Sequence, residues 1–171
     1  FFMEKNDIYY RKKTKRWLTG LSCCLMLLIG QLGIAQYCMP SSSSADYESI
    51  TNVTFAGINN TTEGSSGLNN YTDQIATVDK NFGEGYTLSV TIDADAGDYL
   101  SVFIDWYQNG ELNDPGETYI LASSTSSNGP FTTQITVPGQ AVLGSTRMRV
   151  ILNWNSAPTP CTSPSYGEIE D

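Results

Sequence analysis

Between Tyr86 and Ile92 the chain alternates, with Tyr86, Leu88, Val90 and Ile92 on one side and Thr87, Ser89 and Thr91 on the other. The same period of two sets Leu100, Val102, Ile104 and Trp106 together in residues 99–106. It sets Met148, Val150, Leu152 and Trp154 together in residues 147–154. Shorter alternating runs cover residues 52–58, 117–122 and 131–137. Successive strand side chains point to opposite faces, so each run predicts a strand with one buried face. Turn-forming stretches separate them: 41–44, 59–70 and 123–129 are rich in Ser, Asn, Thr and Gly and read as loops. Six or more strands at short spacing, with little helical periodicity, predict an all-β, antiparallel β-sandwich of jelly-roll type. By the same alternation Trp106 and Trp154 belong to the core, with a ligand-lining surface as the alternative.

The first 35 residues follow a different pattern. Lys5, Arg11, Lys12, Lys13, Lys15 and Arg16 precede an apolar run over 17–34, which ends in Gly33-Ile34-Ala35. A basic head, an apolar stretch and a small-residue site define a secretory signal peptide. The expectation is a signal-peptide helix over 1–35, then one domain over 36–171, secreted or at the cell surface. A retained anchor is the alternative. Thr19, Gly20, Ser22, Gly30 and Gln31 interrupt the run, however, and a bilayer crossing needs about 20 mainly apolar residues. Contact with a membrane is expected only through export.

Removing that segment changes the charge balance. Of nine basic and 18 acidic residues, six and two lie within 1–35, so three bases and 16 acids remain and the net charge is −13. Such a surface repels nucleic acid and anionic lipid. Cys38 and Cys161 are the cysteines left, and in an exported chain an isolated pair is most simply a disulfide. The chain has no histidine. That removes Ser-His triads and His-ligated zinc, so the expectation is a protein that is not an enzyme.

The densest chemistry lies in residues 105–117, where acids and asparagines surround two glycines. Calcium takes six to eight oxygens from a tight turn of this composition. Asp105, Asn109, Glu111, Asn113, Asp114 and Glu117 are the candidate ligands. Against an EF-hand spacing, Tyr107 spoils the third position and Glu117 comes one residue late, so a solvated acidic turn is the competing reading. Tyr107, with Trp106, is the candidate contact for a glycan or extracellular protein. At the C-terminus, alternation projects Glu168 and Glu170 to one face with Ile169 inward. Arg147 and Arg149, two apart on another strand, are expected to pair with Glu168 and Glu170 as structural ion pairs, with a metal role for the acids as the alternative.

Gly167-Glu168-Ile169-Glu170-Asp171 resembles the Gly-Glu-Val-Glu-Asp motif of the GEVED domain, found in secreted bacterial proteins and common in Bacteroidetes. Further likenesses are Tyr37-Cys38-Met39-Pro40, the stretch 50–60, Asn70-Tyr71-Thr72-Asp73, the acidic loop, Val137-Pro138, residues 144–150 and Pro160-Cys161. They cover essentially all of 37–171. The resemblance implies a β-sandwich module, usually one part of a larger exported protein whose companions include peptidases, adhesive repeats and a sorting domain. It also implies that the strand ending at Asp171 continues in relatives, so this is a truncated end. Tyr107 and Asn109 replace the family's Asn and Asp, which weakens the calcium reading. Together these observations predict a non-catalytic binding or adhesion module, calcium-stabilised and taking glycan or protein. The alternative is a purely structural accessory domain of a larger secreted hydrolase.

Overall fold

The computed structural model describes residues 36–78 and 85–171, and the expected signal helix over 1–35 lies outside them. Eight strands form: β1 (Ser49–Phe55), β2 (Ile58–Thr61), β3 (Gly85–Asp93), β4 (Asp98–Ile104), β5 (Thr118–Thr125), β6 (Phe131–Thr136), β7 (Met148–Trp154) and β8 (Gly167–Glu170). They make two four-stranded sheets, ordered β2-β1-β3-β6 and β5-β4-β7-β8. Every pairing of named strands is antiparallel. The all-β sandwich read from the alternation is therefore the fold. Among the described residues no helix is long and apolar enough to cross a membrane.

The core lies between the sheets. Ile50, Val53 and Phe55 of β1 and Leu88, Val90 and Ile92 of β3 meet Leu100, Val102 and Ile104 of β4 and Val150 and Leu152 of β7. Each such side chain contributes roughly 1.5–3 kcal/mol when fully buried.

Three details depart from the pattern. Residues 52–58 are not one strand: Phe55 pairs with Ile58 across Ala56-Gly57. Both turn residues hold positive φ, 45° and 98°. That conformation matches the right-handed twist of a two-residue hairpin, and Gly at the second position makes it accessible. The loop read over 59–70 thus begins with the edge strand β2. The Ser-rich stretch after Ala122 continues β5 as far as Thr125, because β4 offers it a ladder.

The third departure matters most. β4 is buried almost throughout, not on one face. Its outward-facing Phe103 packs with Ile151 of β7, Ile169 of β8 and Leu112, under Tyr37 and Leu68. A second, smaller core therefore lies outside the second sheet, roofed by the N-terminal segment and two loops. The Cys38–Cys161 disulfide, with a sequence separation of 123, closes this roof against the chain that leads into β8.

Candidate functional site

The last strand shows how its motif works locally. Gly167 holds φ 127°, and a Cβ there would stand 2.1 Å from the Leu152 carbonyl oxygen. Glycine is required by both conformation and space. In register, Glu168 lies beside Leu152 and Glu170 beside Val150. Both carboxylates therefore turn toward the gap between the sheets, while Ile169 turns outward into the second core. Glu168 Oε2 accepts the Ile50 amide at 2.7 Å. Its Oε1 accepts the Ser65 amide at 3.1 Å and Asn69 Nδ2 at 2.9 Å. Glu170 Oε1 accepts the Thr62 hydroxyl at 2.8 Å.

Burial pushes the Glu168 carboxyl up, partly offset by the Ile50 and Ser65 amides. Burial also pushes Glu170 up to about 7, against the Thr62 hydrogen bond and reinforced by the Glu168 charge. The free edge of β8 is covered as well. Asn69 N donates to Ile169 O, Asp171 N to Asn69 O, and Tyr71 N to Asp171 O. These acids clamp the two sheets together.

The expected ion pairs of Arg147 and Arg149 with Glu168 and Glu170 are not formed. Both arginines bind Asp171 instead. Alternation on β7 sends Arg149 outward with Ile151, away from the inward-facing glutamates. Arg149 is fully buried and forks onto Asp171, Nε to Oδ1 at 2.5 Å and Nη2 to Oδ2 at 2.6 Å. It also donates to the Cys38 and Pro160 carbonyls, which fixes the disulfide-bearing roof.

The acidic loop leaves β4 at Asp105, which is fully buried. Asp105 accepts the Asn109 and Gly110 amides and the Tyr37 hydroxyl. Glu117, also fully buried, accepts the Tyr107 and Asp114 amides, both at 3.2 Å. Burial raises the Glu117 carboxyl despite those two bonds. Asn109 Nδ2 donates to Asp114, and Asn109 Oδ1 accepts the Glu111 amide. Glu111 and Asn113 are exposed. So Asp105, Asn109, Asp114 and Glu117 come together, but as acceptors for the loop's own amides. Among the described residues no three His, Cys, Asp or Glu side chains stand together as a metal cluster.

Trp106 is buried, with Nε1 donating to the Tyr119 hydroxyl at 3.0 Å. Tyr107 is half-buried and its hydroxyl donates to Pro115 O.

Exposed aromatic surface gathers at the opposite end of β4. Trp154 faces Asp98 across the β4–β7 ladder and is 45% exposed. Its indole stands edge-on to Tyr166 at 5.9 Å, and Tyr166 stands edge-on to Tyr47 at 6.1 Å. Tyr47 and Tyr166 are 64% and 42% exposed. Trp154 Nε1 donates to Ala96 O, which holds the indole in place. Core membership for Trp154 is thus corrected: its strand position points inward, but the sandwich ends there and leaves the ring open. Tyr47 and Tyr166 lie outside the alternating runs, so periodicity gave no signal for them.

At the acidic-loop end, a cavity of about 470 Å³ opens between the sheets, lined by Phe55, Trp106, Val142, Leu143, Met148 and Arg147 among others.

The GEVED domain family model matches residues 99–171. The match takes in β4 from its second residue, the acidic loop, β5, β6, β7 and the whole of β8, so Glu168, Glu170 and the Arg149–Asp171 fork lie inside it, while the donors that complete the clamp, Ile50, Thr62, Ser65 and Asn69, lie outside. No curated protein and no solved structure matches the chain. Two of the three clustered rings, Trp154 and Tyr166, lie in the matched segment, while Tyr47 comes from outside it.

Proposed function

We propose that residues 36–171 form a non-catalytic, exported binding module that takes carbohydrate on Tyr47, Trp154 and Tyr166. The observation behind this reading is the aromatic cluster itself: three exposed rings, with Tyr166 edge-on to both Tyr47 and Trp154 at one end of the sandwich. Trp and Tyr combine a large apolar face with a polar tip, which suits the mixed apolar and hydroxyl faces of a sugar ring. A grouped exposed apolar surface marks an interaction site more often than scattered residues do. The net charge of −13 over residues 36–171 disfavours nucleic acid, and the lack of histidine removes the commonest hydrolytic machinery. Export is supported by the basic and apolar order of residues 1–35, and the disulfide is compatible with it. Extension of the GEVED assignment to all of 36–171, in a larger Bacteroidetes-type surface protein, is part of the same proposal.

Glycan-array binding and affinity electrophoresis test it. Trp154→Ala and Tyr166→Ala should abolish retention by the polysaccharide that binds, while Tyr107→Ala should leave it intact. Binding that ignores Trp154→Ala would move the site elsewhere, and no glycan binding at all would sink the reading.

The cavity between the sheets favours a second reading, an accessory domain of a larger secreted hydrolase. Its mouth carries the exposed Ile75, Val142 and Leu143, a surface suited to packing against a neighbouring protein domain.

A further inference from the structure

Beside the aromatic cluster lie two carboxylates that the fold leaves unsatisfied. Asp98 opens β4 and shares its inward face with Leu100, Val102 and Ile104. It is fully buried, and neither of its carboxyl oxygens has a hydrogen-bond partner. Glu48 stands just before β1 in the opposite sheet, 4% exposed, with Oε2 also unpartnered. Each sheet therefore contributes one buried acid to the same end of the sandwich. Asp95, in the turn between β3 and β4, acts on both electrostatically.

Among the described residues no base answers them. Among the described residues Arg147 and Arg149 both bind Asp171. The contrast with the other buried acids is informative. Asp105, Glu117 and Glu168 each accept backbone amides in well-formed bonds, whereas the Asp95 amide bears on Asp98 too loosely to make one. A buried carboxylate without partners costs several kcal/mol unless it is neutralised or coordinates a cation.

We propose that Glu48 and Asp98 bind a calcium ion at this end of the sandwich, beside Trp154. The donors are all oxygen, which suits a hard cation rather than zinc or copper. Two buried carboxylates instead of three make this a weak site, completed by backbone carbonyls and water. Its dissociation constant falls in the roughly 10⁻⁴–10⁻³ M class of extracellular modules. Asp98 is the cross-strand partner of Trp154, and Glu48 follows Tyr47 in sequence. The ion would thus fix the two anchor points of the aromatic cluster. The site does not depend on the carbohydrate reading.

Thermal melts of the purified chain in EDTA and in about 10 mM calcium test the site. Binding to the native state alone should raise the wild-type melting temperature by roughly 5 °C. Asp98→Asn and Glu48→Gln should abolish that shift, yet melt at or above wild type in EDTA because a buried charge has gone. Asp114→Asn, in the acidic loop, should keep the shift. An absent wild-type shift, a shift that survives Asp98→Asn and Glu48→Gln, or one lost in Asp114→Asn would each overturn the assignment. Should the variants fail to fold, terbium serves as the probe on wild-type protein. Tryptophan excitation should give sensitised emission that calcium competes away and Trp154→Phe weakens. Silence there would overturn the site as well.

Discussion

Glu168, on the last strand, accepts the backbone amide of Ile50, on the first strand, at 2.7 Å across 118 residues of sequence. One carboxylate thereby joins the two sheets at their edge. It also holds the Ser65 amide and Asn69 Nδ2. Glu168→Ala would leave the Ile50 and Ser65 amides without an acceptor and Asn69 Nδ2 with the Ser65 carbonyl alone. A buried unmatched donor costs about 1–3 kcal/mol, so the buried Ile50 amide should set a loss of about that size, with the more exposed Ser65 amide adding less. Glu168→Gln should cost less, because one oxygen remains. Urea denaturation of the two variants checks the order.

The two arginines of β7 differ in worth. Arg149 is fully buried in a fork with Asp171, whereas the Arg147 side chain is 25% exposed and lies over the Tyr37 ring at 4.4 Å. Removing one partner of a buried pair costs about 3–5 kcal/mol, and exposed pairs contribute about 0–1 kcal/mol. Arg149→Met should therefore approach loss of folding, and Arg147→Met should be mild. Chemical denaturation of both variants separates them.

Stability should fall as the solution turns from mildly acidic to neutral. Burial raises Glu170 to about 7 and Asp98 to about 6 in the folded protein. Between the unfolded values of about 4 and these folded values, the native state keeps protons that the unfolded chain has released. The stabilising contribution is full below about pH 4 and is lost as pH rises through 6 to 7. In EDTA, melts should be higher at pH 5 than at pH 8. Glu170→Gln should flatten the upper part of that slope, and a profile unchanged by this substitution would remove Glu170 as its source.

Reduction should weaken the domain strongly. The Cys38–Cys161 bridge spans 123 residues, and a loop of that length restricts the unfolded chain by about 5 kcal/mol in the chain-entropy model. Cys38→Ser with Cys161→Ser should lower the melting temperature without changing the strand content. Calorimetry and far-ultraviolet circular dichroism measure the two separately.

Much of this architecture was written in local pattern. Alternation identified β3, β4, β6 and β7, because a strand's two faces meet different surroundings whatever its partners are. The paired cysteines announced the disulfide, since so few sulfurs allow one pairing. The glycine of the terminal motif carried its own signal, later explained by the Leu152 carbonyl against which it sits.

What the sequence could not decide was partnership across distance. Arg149 and the terminal acids are all legible as charges, but which acid meets the arginine depends on the face of β7 that each residue takes. That face is set by the register with β4 and β8. Likewise, Asp105 and Asp98 bracket the same strand, and composition makes them equivalent. Only the packed structure gives Asp105 three donors and leaves Asp98 without a well-formed bond. Periodicity fixes which side of a strand is buried. The depth of burial, and whether a buried charge finds a partner, is settled by chain segments far away in sequence.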